Sequence, residues 1–198
     1  MVSGENKRNT VYLDTSVLAN WLLLYRKSKR TRRLAEKKAK ESMRLLDRIL
    51  KGRYSCRFLI SPYVMSELSQ SARDNLVALK MIRDGQSLVW FNRLKKQYRL
   101  KNWEQADIRR SIDSFAKFLL NKKFILFDAH IDSDDIHRFS LRYSLETHDA
   151  IHLSIARRNA AYLVTTDSDL LESKPRIKEM AVVRPAALET LTTLRKEP

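Results

Sequence analysis

Residues 147–171 read THDAIHLSIARRNAAYLVTTDSDLL, and the fold is decided there. Ile151 and Ile155, with the small residues Ala150, Ser154 and Ala156, give one apolar face at helical spacing. Thr147 stands just before that face, where an N-cap belongs. Tyr162-Leu163-Val164 is an apolar run long enough for a buried strand, and Asp167 follows it closely. One carboxylate, Asp149, therefore opens a helix, and another lies just past the end of the next strand. In an open α/β sheet those two places are neighbours, because ligands collect beyond the carboxyl ends of the strands.

Working outward, the same alternation recurs. Val11-Tyr12-Leu13 predicts a buried first strand ending at Asp14, and Thr15 or Ser16 is placed to cap a helix that begins near Val17. From Arg26 the chain is strongly basic, through Lys27, Lys29, Arg30, Arg32, Arg33, Lys37, Lys38 and Lys40. Beneath those charges Ala35, Ala39, Met43, Leu46 and Leu50 predict the buried face of an amphipathic helix, closed by Lys51-Gly52. Phe58-Leu59-Ile60 predicts a second strand, and Ser61-Pro62 a cap followed by a proline at the first helical position. That helix carries Val64, Leu68 and Ala72 on one face, with Glu67 beside them, and Asp84-Gly85 breaks the segment that follows. Helices over 102–120 and from Asp132 to Tyr143, a third strand at Phe124–Phe127, a strand at Val182-Val183 and a short helix from Pro185 complete the pattern. Strands alternating with helices predict a parallel sheet in one α/β domain.

Composition narrows the function. The 198 residues carry a formal net charge of +16, an excess that suits a polyanion such as nucleic acid. Gly4, Gly52 and Gly85 are the only glycines, which removes a Walker loop and a dinucleotide fingerprint. Cys56 is the only cysteine, which removes an intrachain disulfide and a thiolate zinc cluster. Residues 1–10 are polar and no apolar span is long enough to cross a membrane, so the expectation is a soluble, cytoplasmic chain.

Four acids stand at equivalent places: Asp14 after strand one, Glu67 in the second turn of the helix after strand two, Asp149 opening a helix, and Asp167 after a strand. A parallel sheet would gather them at one edge. Carboxylates packed together must be protonated or hold a cation. Hard oxygen ligands without cysteine suit Mg2+ or Mn2+, and such ions activate water for phosphodiester cleavage. The four acids are thus the candidate catalytic and metal-binding residues, and an acidic hollow in a basic chain points to a nuclease.

LDTS at Leu13–Ser16, SPYVMSEL at Ser61–Leu68, THDAIHLSIA at Thr147–Ala156 and LVTTDSDL at Leu163–Leu170 together resemble the PIN-domain ribonucleases, most closely their VapC-type toxins. The resemblance implies a three-layer α/β/α PIN-like fold over residues 1–198, with a central parallel sheet. It implies an endoribonuclease dependent on Mg2+ or Mn2+. It assigns the metal positions to Asp14, Glu67, Asp149 and Asp167, adds Asp169 as support for a second ion, and gives Thr166, with Thr15 or Ser16, the role of bonding ligands or phosphate. For the toxin branch it implies an antitoxin protein and a homodimer. A basic helical segment at about 26–57 and a helical segment at about 73–123 depart from the compact toxin pattern as insertions.

Other readings are open on the residues alone. A non-catalytic RNA-binding or RNA-processing assembly module on the same fold fits the long basic insertions, and a nuclease acting on structured DNA fits the four acids. Lys27, Lys29, Arg30, Arg32 and Arg33, with Arg157 and Arg158, are the candidate RNA contacts; a solvated helix face is the plainer reading of the basic run. Trp90, Phe91 and Tyr98 can stack on bases, but such residues more often belong to a core or a dimer contact. His148 and His152 mimic half of a zinc-protease helix, but Asp149 stands where that motif has Glu and no third ligand is evident, so His152 reads as a packed helix residue. Asp14-Thr15-Ser16 resembles a phosphoaspartate phosphatase loop without its second Asp. Asp128, Asp132, Asp134 and Asp135 can form a second metal site, but helix capping explains them more cheaply.

Overall fold

The computed structural model describes residues 9–24, 37–122, 124–188 and 190–191. Lys27, Lys29, Arg30, Arg32 and Arg33 lie outside the described residues. Five strands form one sheet: β1 (Thr10–Leu13), β2 (Arg57–Ile60), β3 (Phe124–Leu126), β4 (Tyr162–Val164) and β5 (Ala181–Val183). Their spatial order is β3-β2-β1-β4-β5, and every pair is parallel. Helices flank the sheet in a three-layer α/β/α arrangement, as the alternation of short apolar runs with amphipathic segments predicts.

The helices are α1 (Thr15–Leu24), α2 (Lys37–Leu50), α3 (Pro62–Arg83), α4 (Phe91–Leu94), α5 (Asn102–Asn121), α6 (Ser133–Tyr143), α7 (Thr147–Asn159), α8 (Ser168–Ser173) and α9 (Pro185–Leu188). α1 packs on α2 and α3, α3 on α5, α6 on α7, and α7 on β1 and β4. Trp21 of α1 is fully buried and stands edge-on to Phe124 of β3 at 5.8 Å. Its indole N–H donates to the Ser42 carbonyl of α2, which ties the two helices together. Phe124 in turn meets Phe58 of β2 at 5.7 Å. Each such aromatic contact adds about 0.5–1.5 kcal/mol beyond area burial.

Three local expectations change. α7 begins at Thr147 itself, with Glu146 at the N-cap position and no side-chain cap bond. α1 begins at Thr15, with the Asp14 carbonyl accepting from the Val17 and Leu18 N–H groups. No residue of 86–101 is fully buried, so Trp90, Phe91 and Tyr98 are not core; Trp90 is 51% exposed. The reason is geometric. Asp84 caps α3, Gly85 takes φ +71°, and the chain then runs along the outside as short turns instead of re-entering the sheet.

β1 is central and buried along its whole length. The chain builds outward from it to β2 and β3, then crosses to β4 and β5 on the other side. The crevice beyond the carboxyl ends of β1 and β4 is therefore the switch point at which such sheets place their ligands.

Candidate active site

A cleft of about 600 Å3 opens at that switch point. Asp14, Glu67, Asp149, Asp167 and Asp169 all line it. The five acids divide into two groups. Asp149, Asp167 and Asp169 each offer a carboxylate oxygen within 4.8 Å of the other two. Asp14 and Glu67 gather instead around the imidazole of His152.

The register of the sheet explains the position of Asp14. Leu13 pairs with Val164, so the next residues, Asp14 and Thr165, stand level and on the same face. Thr165 Oγ1 donates to Asp14 Oδ2 at 2.6 Å, and Ser16 Oγ donates to the same oxygen at 2.6 Å. Asp14 is 3% exposed, so these bonds replace the water it gives up. Thr165 therefore does what was expected of Thr166. The Thr166 side chain falls on the other parity, and Thr166 takes part through its backbone N–H, which donates to Ser16 Oγ at 2.9 Å. Of the other expected supports, Thr15 donates its hydroxyl to Glu67 Oε2, and Ser16 acts on Asp14.

His152 is the residue that local patterning did not mark for the site. It lies one turn after Asp149, on the same helix face, and that spacing is the signal that could have found it. The ring is 2% exposed. Its Nε2 lies 2.6 Å from Glu67 Oε2 and 3.1 Å from Asp14 Oδ1. Its Nδ1 lies 3.1 Å from Tyr12 Oη, which is 2.9 Å from Ser61 Oγ. Burial opposes the charged ring, but the Asp14 charge and the Glu67 hydrogen bond and charge outweigh it and raise the imidazole above its ordinary range. In its charged form the ring donates from Nε2–H to Glu67 and from Nδ1–H to Tyr12. Burial likewise resists the Glu67 carboxylate, yet His152, Thr15 and Tyr63 hold it below the usual range. Tyr63, four residues before Glu67, closes this wall. Its ring meets that of His152 at 5.2 Å and its hydroxyl bonds His148, so both histidines contribute to the acid wall.

The facing group is less compensated. Asp167 caps α8, accepting from the Asp169 N–H at 2.8 Å and the Leu170 N–H at 3.5 Å. Asp169, held by its backbone at that cap, brings its own carboxylate to the cluster. Burial, followed by the charges of Asp167 and Asp14, pushes Asp149 up to about 7. Asp149 is thus short of positive charge, while Asp14 and Glu67 have His152. Three hard oxygen donors in such a position fit a divalent cation of the Mg2+ or Mn2+ kind.

Arg157 and Arg158 sit elsewhere. They occupy the far end of α7, with Arg157 about 12 Å along the helix axis from Asp149 at 1.5 Å per residue. Arg157 bonds Asp135 at 2.8 and 3.0 Å, and Arg158 bonds Asp132 and Asp135. The short connection between α6 and α7 folds them as a hairpin, which lays these arginines beside the acidic first turn of α6. Asp132 caps that turn, accepting from the Asp134 and Asp135 N–H groups.

No family model matches this chain, and no curated protein matches it in sequence. Among solved structures it is similar to the crystal structure of PAE2754 from Pyrobaculum aerophilum, at 17% identity and a TM-score of 0.49, over 91% of this chain and 87% of that one. No helix among the described residues is long and apolar enough to cross a membrane.

Proposed function

We propose that this chain is a PIN-type endoribonuclease dependent on a divalent metal ion. One observation carries the reading: five acids drawn from four separate stretches of the sequence line a single cleft at the sheet's switch point, in a chain with a +16 excess. Asp149, Asp167 and Asp169 would hold Mg2+ or Mn2+, and Asp14 and Glu67 complete the acidic lining. An ion held there would supply Lewis acidity toward water and the phosphodiester oxygens.

The chain's own groups do the positioning. Ser16 and Thr165 fix the orientation of Asp14. Thr15 and His152 fix Glu67, and a charged His152 would lower the mutual repulsion of Glu67 and Asp14. The cap bonds of α8 hold Asp167 still. The basic excess raises the local concentration of the polyanion, which the acidic cleft alone would repel.

Asp14→Asn and Asp149→Asn should each lower manganese-dependent cleavage of a mixed RNA panel by at least ~100-fold while the fold persists. Full activity in both variants, after chelation and restoration of metal, would overturn the mechanism. Salt-dependent RNA binding without turnover would instead favour the assembly-module reading, and cleavage confined to structured DNA would change the substrate.

A further inference from the structure

Beyond Glu67, α3 builds a second cleft whose charge is the opposite of the first. Ser66, Ser69, Gln70 and Arg73 recur at i, i+3, i+4 and i+7 along α3 and form one wall of a hollow of about 740 Å3. α5 and the turn that precedes it form the other wall. Ser66 and Gln70 also line the acidic cleft, so the two hollows adjoin along the helix. From Glu67 to Arg73 the axis advances about 9 Å.

Four cations, Arg73, Lys96, Arg99 and Arg109, line this second cleft against one carboxylate, Asp113. Arg73 pairs with Asp74 at 3.1 Å and Arg109 with Asp113 at 4.0 Å. Surface pairs of this kind contribute little and yield readily to a phosphate. Tyr98 lines the same cleft, with Leu100 and Ile108 in the same lining. No core role accounts for this ring, because its whole segment runs outside the buried interior.

We infer that this groove binds single-stranded polynucleotide leading into the acidic cleft, with phosphates on the four cations and a base stacked on Tyr98. The inference rests on the nuclease reading for where the strand leads, but not for binding itself. A single strand uses both features present, several cations for its phosphates and an aromatic ring in the groove lining for a base. A duplex keeps its bases stacked inside, and an acidic peptide would use the cations alone.

The test is fluorescence anisotropy of a short labelled single-stranded RNA with the full chain in EDTA, so that no cleavage intervenes. The double variant Arg99→Gln/Arg109→Gln should weaken binding about tenfold and reduce the slope of log affinity against log salt by about 1.4, from about 0.7 per phosphate contact on a single strand. Tyr98→Leu should weaken binding at least ~5-fold with an unchanged slope, and Tyr98→Phe should bind as the parent does, because the stacking face is kept. Lys174→Gln/Lys178→Gln, on the exposed connection between α8 and β5, is the charge control and should leave both affinity and slope as in the parent. Groove variants that bind like the parent overturn the inference. So does a parent chain that binds no RNA, or one from which duplex RNA or polyglutamate displaces the strand equally well. Groove-dependent binding in a chain that never cleaves RNA in manganese removes the catalytic reading and leaves the groove. Cleavage that needs Asp14 but is indifferent to the groove variants does the reverse.

Discussion

His152 and Asp149 share one helix face one turn apart and experience opposite electrostatics. His152 gains two carboxylate partners, and Asp149 gains like charges that His152 only partly offsets. Both groups are raised in the folded state, Asp149 from 3.8 to about 7. A group raised on folding stabilises fully below its unfolded value and loses that contribution as pH climbs through the folded one. Glu67 is lowered, so its contribution is lost only as pH falls below the ordinary carboxylate range. The metal-free protein should therefore melt at a higher temperature at pH 5.5 than at pH 8, the window set by Asp149. The groups facing Asp149 are Asp167, Asp14, Asp169 and His152, and only the last opposes the trend. Manganese should raise the melting temperature chiefly at pH 8, because it binds the ionised cluster of the native state alone. Asp149→Asn should flatten the metal-free slope. A scanning-calorimetry series with no pH dependence between those limits would contradict this account of the cluster.

At the scale of elements, α3 carries the most local information. Ser61 at the N-cap, Pro62 at the first helical position and the apolar face of Val64 and Leu68 are all legible in sequence, and all occur as expected. The sequence did not reveal that Ser61 has two duties. Its Oγ accepts from the Val64 N–H at 3.4 Å and meets the buried Tyr12 hydroxyl at 2.9 Å. Ser61→Ala should cost about 1–2 kcal/mol, the loss of a cap and of one bond to a buried hydroxyl. For a chain of this size that is a fall of about 2–8 °C in Tm. Ser69→Ala, whose hydroxyl only bonds back to the Met65 carbonyl, should change stability by less than ~0.5 kcal/mol. Equal losses in the two variants would mean that the cap and the Tyr12 contact contribute nothing.

For the whole molecule, the net charge of +16 and the acidic cleft act on different parts of a reaction. On the nuclease reading, the excess would govern encounter with RNA and the cleft the chemistry. RNA cleavage should therefore lose about tenfold in kcat/KM between 50 and 200 mM salt, for a few phosphate contacts at about 0.7 each, with kcat nearly constant. Steady-state kinetics across salt would show it, and a fall in kcat with KM unchanged would place the salt effect in the cleft.

The order of strands and helices, the acids at the strand ends and the sign of the surface charge follow from the sequence alone, because each depends on local period or on simple counting. Which acids cluster, which threonine holds Asp14 and what holds Glu67 depend on partners 18 to 151 residues apart in the chain. Those choices were made by the β1–β4 register and by the way α7 lies across the sheet. Periodicity marks a residue's face, but only packing brings a second chain segment opposite it, which is why His152 and Thr165 became visible in three dimensions.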